Sequence, residues 1–254
     1  MTHLLETQSL SIRFGDLKAV SDVSMHVDAG SITALIGPNG AGKTTLFGLL
    51  SGFLTPTGGN VRFDGEDVTG MLPYRMCRLG IARTFQIAQP FASQTVRENI
   101  AVGAHLHERK RGAALAQAEE VATRVGLADQ LDKAASSLTI GGRKRLELAR
   151  ALATKPRLLL LDEVLAGLNP QEVAGMIPVI RGLCADGVTV LMIEHVMQAV
   201  MNLASQVWVL ASGELIASGT PAHVTLDARV IEAYLGPGMA ERISKMRGAE
   251  VTEV

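Results

Sequence analysis

Aromatic side chains are scarce: one Trp, two Tyr and six Phe in 254 residues. With a hydrophobic content of 47%, that leaves Leu, Val, Ile and Ala to fill the interior, the composition of a helix-covered parallel sheet. Cysteine is nearly absent. Cys77 and Cys184 form no CxxC or metal-ligand spacing, which sets aside a disulfide framework and points to a reducing compartment with buried or idle thiols. No apolar run approaches the about 18 residues that cross a bilayer; the longest, such as Val188 to Ile193, have strand length. The opening MTHLLETQSLSIRFG lacks a basic stretch followed by a long apolar one and does not read as a secretory signal. No acylation motif is visible. If the chain works at a membrane, other chains must hold it there. Charge of either sign is not in excess: the formal net charge is −1, so no global field draws the chain to nucleic acid or anionic lipid. The densest basic stretches, Glu108-Arg109-Lys110-Arg111 and Arg143-Lys144-Arg145, read as solvated helix faces or ends.

What is present is an ordered alternation of strand and helix signals. Leu10, Ile12 and Phe14, then Val20, Val23, Met25 and Val27, alternate as antiparallel strands with one buried face. A short apolar strand spans Ser31 to Ile36, followed by a Gly-rich turn and a helical pattern from Thr44 to Leu50. A turn at Thr55 to Gly59 precedes a strand at Val61 to Phe63. Residues from about Pro90 to Thr154 read as almost wholly helical, Ala113 to Val125 most strongly. Strands return at Leu158 to Leu161, Val188 to Ile193 and Val207 to Leu210, separated by helices starting near Pro170 and Val196. Beyond Gly236-Pro237-Gly238 the periodicity fades, and a loose helix or disorder is expected over 237–254.

The Gly-rich turn, Gly37-Pro38-Asn39-Gly40-Ala41-Gly42-Lys43-Thr44-Thr45, fits G-x-x-x-x-G-K-[ST]. Glycines let backbone N–H groups turn inward on an anion, and the following helix aims its positive dipole end at the same point. Lys43 supplies a mobile cation for the β- and γ-phosphates, and the Thr44 hydroxyl can ligate Mg²⁺. Downstream, Leu158-Leu159-Leu160-Leu161-Asp162-Glu163 is apolar at every strand position and ends in two carboxylates. Such a strand is buried on both faces, and ligands bind beyond its carboxyl end. There Asp162 can hold Mg²⁺ through water, and Glu163 can orient and polarise an attacking water. Together these motifs define a nucleotide hydrolase.

Leu138-Thr139-Ile140-Gly141-Gly142-Arg143-Lys144-Arg145-Leu146-Glu147-Leu148-Ala149-Arg150-Ala151-Leu152 lies just upstream of the carboxylate strand. It resembles the signature of ABC transporter ATP-binding subunits, LSGGQ in its common form and LSYGQQRRLEIARAL in the branched-chain amino-acid importers. The resemblance runs from about residue 4 to 236 and is nearest the larger-ATPase branch of those importers. It implies an α/β P-loop NTPase with an N-terminal antiparallel β subdomain and a helical insertion at about 90–154. It also implies roles for further residues. Phe14 would stack on adenine. Gln86, in Arg83-Thr84-Phe85-Gln86, would sense Mg²⁺ and the water. His195, in Ile193-Glu194-His195, would contact the γ-phosphate, and Leu168-Asn169 falls on the D-loop. Taken singly, a Phe beside strand residues is more often core, a Gln more often surface, and a His more often a helix cap. Their order along the chain carries the assignment. The sequence departs from the common pattern at Thr139 (usually Ser, hydroxyl kept), Gly142 (commonly Gln), Val164 (often Pro) and Asn169 (often Asp).

In this family Thr139, Gly141 and Gly142 of one subunit would close on the γ-phosphate held by Lys43 of another, so the resemblance implies a pair of ATPase subunits, paralogous or identical. It further implies two permease subunits, indirectly a periplasmic solute-binding protein, and a peripheral place on the cytoplasmic face of a bacterial inner membrane. Nucleic acid is not an expected partner. ATP and Mg²⁺ are the expected cofactors. The implied function is ATP hydrolysis that energises import of branched-chain amino acids or related solutes. A lipopolysaccharide-type export ATPase is the nearest alternative, because its tail resembles Ser218 to Gly236; a soluble ABC ATPase without a permease is another. A non-catalytic nucleotide-binding regulator is disfavoured by the presence of Lys43, Asp162, Glu163 and His195.

Overall fold

The computed structural model describes residues 3–86, 89–240 and 242. The chain opens with β1 (His3–Phe14), β2 (Leu17–Val23) and β3 (His26–Asp28). Next come β4 (Ile32–Ile36), α1 (Lys43–Leu50), β5 (Gly58–Phe63), β6 (Glu66–Asp67), α2 (Pro73–Leu79) and β7 (Ile81–Arg83). Three helices follow: α3 (Val96–Ala104), α4 (Arg111–Val125) and α5 (Ile140–Leu152). The chain then runs through β8 (Leu158–Asp162), α6 (Pro170–Ala185), β9 (Thr189–Ile193), α7 (Met197–Leu203), β10 (Gln206–Ala211), β11 (Glu214–Gly219), α8 (Pro221–Val224) and α9 (Ala228–Leu235).

Two sheets result. The first is antiparallel, ordered β2-β1-β5-β6 with β3 also on β1. The second runs β11-β10-β4-β9-β8-β7, parallel from β10 to β7 and antiparallel only at β11. Successive side chains of a strand point to opposite faces, and β8 divides its leucines accordingly. Leu158 and Leu160 pack with α1 and the antiparallel sheet, and Leu159 and Leu161 pack with the helices on the other side. Leu191 and Ile193 of β9 join the first core, Val190 and Met192 the second. Helix α1 is thus sandwiched between the sheets, with Leu46, Phe47 and Leu50 buried.

The insertion is less continuously helical than its sequence suggests. Thr95 starts α3 with a capping box to Glu98, and Gly126 in the left-handed region ends α4. Only short 3-10 turns at Ala128–Gln130 and Ala135–Ser137 fill the approach to α5. The strands β7 and β11 and the helices α2, α8 and α9 carry no signal in the reading of the sequence. The expected loose tail falls mostly outside the described residues. Among the described residues, no helix is long and apolar enough to cross a membrane. Both cysteines are free and half-buried.

Candidate functional site

Strands β4, β9 and β8 are neighbours, so loops leaving their carboxyl ends sit about 5 Å apart per strand step. The turn 37–42 leaves β4, Asp162 and Glu163 end β8, and Glu194 and His195 follow β9. Three distant stretches of sequence therefore meet at one edge of the sheet, where ligands bind in such folds.

The turn after β4 admits only glycine at two places. Gly42, with φ +100°, caps α1, and a Cβ there would lie 2.3 Å from the Ala19 carbonyl oxygen. At Gly37 the added carbon would come within 2.0 Å of the Leu210 carbonyl oxygen. Lys43 folds back over this turn, its Nζ donating to the carbonyls of Gly37 (2.8 Å) and Pro38 (2.9 Å). Burial lowers its pKa, against the charges of Glu163 and Asp162.

A cavity of about 1080 Å³ opens in front of this turn. Phe14, Asn39, Gly40, Ala41, Gly42, Lys43, Thr44, Thr45, Gln86, Glu163 and His195 line it. Phe14 is half exposed at the cavity rather than in the core. Gln86 Nε2 donates to Glu163 Oε2 at 2.9 Å, and His195 Nδ1 stands 3.9 Å from Glu163 Oε1. Glu163 holds φ at +49°, a conformation that costs a non-glycine residue about 1 kcal/mol or more and persists where neighbours enforce it. Here its N–H is fixed to the Ile193 carbonyl.

Asp162 sits behind this row, fully buried. Arg83 Nη2 reaches its Oδ2 at 2.7 Å, while Oδ1 has no partner among the described residues. Burial raises the Asp162 carboxyl and the Arg83 hydrogen bond and charge oppose that. Asp162, Thr44 and Gln86 share an adjoining cavity of about 860 Å³, and Thr44 and Gln86 line both cavities. An unpartnered carboxylate oxygen, a hydroxyl and an amide oxygen are the hard donors that suit Mg²⁺.

The family model described as ABC transporter matches residues 20–166, and the one described as branched-chain amino acid ATP-binding cassette transporter matches 214–236. The high-affinity branched-chain amino acid transport ATP-binding protein BraF of Pseudomonas aeruginosa is 39% identical, over 92% of this chain and 98% of its own. The corresponding protein LivG of Escherichia coli is 38% identical with the same coverage. The chain belongs to the ABC transporter family. A solved ATP-binding cassette in its ADP conformation superimposes with a TM-score of 0.85 at 32% identity, covering 93% of this chain and all of that one (100%).

Not every expected site residue of the cassette lines these cavities. Gly37 and Pro38 lie outside them and serve Lys43 through their carbonyls. Thr139, Gly141 and Gly142 line neither cavity. Thr139 caps α5, its Oγ1 accepting the Gly142 N–H at 3.1 Å. A Cβ on Gly141 would meet Glu172 Oε1 at 2.6 Å, and Glu172 forms the α6 capping box with Asn169.

Four ionic residues around the site, all buried but the half-buried Arg83, escaped the reading of the sequence. Lys144, taken there for a solvated helix residue, is buried and donates to the carbonyls of Gln86 (3.0 Å) and Glu163 (3.2 Å). Its spacing from Gly141, Leu148 and Ala151, all buried, was the available signal, because such steps follow one face of a helix. Glu147, three residues on, accepts the Phe85 N–H, and burial raises its carboxyl. Arg83 is the partner of Asp162.

Glu194 is the fourth. Its Oε1 accepts the Leu165 N–H at 3.0 Å, and Oε2 has no partner among the described residues. Burial pushes its carboxyl from an ordinary 4.5 up to about 7, against the Leu165 N–H and with help from the Glu163 charge. Between those values the folded chain holds a proton that the unfolded chain has lost. The resulting stability is full below pH 4.5 and is lost as pH rises through 7, by about 3 kcal/mol in all. Glu194→Gln imitates the neutral acid, so the difference in unfolding free energy between variant and wild type should grow in the variant's favour from pH 5 to 8. Urea titrations at both ends of that window measure it; parallel profiles would show that Glu194 titrates normally.

Proposed function

We propose that this cassette hydrolyses ATP as one of two ATPase subunits and so energises import of branched-chain amino acids, or related solutes, through two permease subunits. The observation that carries the reading is the row Gln86, Glu163 and His195 facing the Lys43 turn across one cavity, with Thr139, Gly141 and Gly142 outside it. Lys43 clamps the β- and γ-phosphates in place of its present carbonyl partners. The free N–H groups of the turn and of α1 face the same phosphates. Phe14 stacks on the adenine. Thr44, Gln86 and Asp162 would hold Mg²⁺, which supplies positive charge against the phosphate oxygens. Glu163 accepts a proton from the attacking water as its oxygen bonds to the γ-phosphorus and the β–γ bridge leaves with ADP. Gln86 and the imidazole of His195 orient that water and the γ-phosphate. Thr139, Gly141 and Gly142 complete the site of the second subunit from the start of α5.

We assign residues 1–236 to the cassette and 237–254 to a tail. The permease faces the 860 Å³ groove between α2, α3 and α5, where Phe53, Tyr74 and Phe85 stand about half exposed beside Arg83 and Arg150. Phe91 is exposed too, but it stacks under the Arg150 guanidinium and does not line the groove. Such docking would hold the chain on the cytoplasmic face of the membrane. Similarity to the branched-chain transport ATP-binding proteins supports the choice of solute. Co-expression with permeases and a solute-binding protein of the branched-chain amino-acid class, followed by reconstitution in vesicles, should give ATP-dependent leucine uptake. Export of a lipid-linked polysaccharide instead, with no amino-acid uptake, would overturn the solute class.

A further inference from the structure

His3, His26 and Asp28 line neither cavity. They meet on the short β1–β3 ladder, and the register there is informative. Leu5 pairs with Val27 and Glu6 with His26, but His3, rather than Leu4, pairs with Asp28, so one extra β1 residue intervenes. Such a bulge re-aims the side chains beyond it. In an unbroken ladder Leu4 would stand across from Asp28; here Leu4 and Leu5 are both buried, and His3 is brought to the face that carries His26 and Asp28. Residues 26 and 28, two apart on a strand, share a face.

The product is a cluster of three donors. His3 Nδ1 lies 2.6 Å from Asp28 Oδ1. The His3 and His26 rings touch at 4.1 Å between centroids, tilted by 37°. One ligand atom from each residue lies within 4.8 Å of the other two. Among the described residues no hydrogen bond engages a ring nitrogen of His26. The two rings and the carboxylate are thus placed to share one cation.

We propose that His3, His26 and Asp28 form a zinc site. Two imidazole nitrogens and a carboxylate oxygen are zinc donors, and three protein ligands leave the fourth tetrahedral position to water. Bonds of about 2.1 Å place tetrahedral ligand atoms about 3.4 Å apart. The His3–Asp28 contact opens by less than an ångström and the wider pairs close by a little more, within reach of side-chain torsions. On binding, the His3 ring proton resides on Nε2. The ion would tie the start of β1 to β3.

The single Trp of the chain reports on this site. Trp208 Nε1 donates to the His26 carbonyl at 3.1 Å, and its ring stands edge-on to the His26 ring at 5.4 Å. Co²⁺, an open-shell substitute for Zn²⁺, quenches indole emission at such range. The test titrates the nucleotide-free, Mg²⁺-free full-length chain with Zn²⁺ by calorimetry, and with Co²⁺ by Trp208 fluorescence. One Zn²⁺ per chain should bind, Co²⁺ should quench, and Zn²⁺ should restore the emission. His26→Ala and Asp28→Asn should weaken Zn²⁺ binding by about a hundredfold, at the upper end of the scale seen for loss of a mere supporting partner. ATP binding serves as the folding control. His3→Gln, at the start of the chain, gives the same reading if either other variant fails that control. Absence of saturable Zn²⁺ binding, unchanged affinity in the folded variants, or Trp208 emission indifferent to Co²⁺ would each overturn the site.

Discussion

Glu163→Gln lowers ATP hydrolysis by about a hundredfold or more, the scale of a lost general base, and leaves nucleotide binding in place. The substitution preserves volume and can still accept the Gln86 amide now 2.9 Å from Glu163 Oε2. It removes the charge that draws the proton from water. Lys43, Thr44 and Asp162 are untouched, so ATP remains bound. If two subunits close around ATP, an unhydrolysed nucleotide keeps them closed, and the variant shifts towards dimer in ATP and Mg²⁺. Where the natural partner is a paralogue, the shift requires that second chain. Hydrolysis and sedimentation, measured together with and without the paralogue, check both halves. Wild-type turnover in the variant would move the base elsewhere, and a fully active monomer would overturn the shared site.

Lys43→Ala removes detectable ATP binding. The ammonium is positioned by two backbone carbonyls at 2.8 and 2.9 Å, and those same protons are available to phosphate oxygens. Charge-assisted hydrogen bonds contribute about 1.5–3 kcal/mol each. Losing two weakens binding by about a hundredfold to ten-thousandfold, beyond the range of an ordinary calorimetric titration. The fold persists, because α1 is held by the burial of Leu46, Phe47 and Leu50 and not by the ammonium. Unchanged affinity in the titration would dismiss Lys43 as the clamp.

The phosphate turn and β8 were legible because their information is local. A glycine spacing, an unbroken apolar run and two carboxylates at its end are written in adjacent residues. Phe14, Gln86 and His195 were legible only through their order along the chain, since each alone resembles an ordinary core, surface or capping residue. The strand β7 was not legible: three residues at a sheet edge make no pattern, and their identity as a strand comes from pairing with β8. Lys144 shows the same limit in a charged residue. Its acceptors belong to residues 58 and 19 positions away, so a helix read in isolation sends it to solvent. Glu194 is similar, since its perturbation arises from packing between β9 and the turn after β8.

The Lys144 ammonium behaves mechanically as a ball joint. Three segments converge on it: α5, the Gln86 backbone and the end of β8. Carbonyl oxygens accept over a broad angular range, and an ammonium on a four-carbon stem swivels without letting go. A small tilt of α5 against the sheet is therefore passed to the backbone of Gln86 and Glu163 as displacement, with the linkage unbroken. A rigid apolar contact at the same place would either block the tilt or transmit none of it. The joint lies along the path from the groove between α2, α3 and α5 to Glu163, a carboxylate whose backbone is already under torsional load.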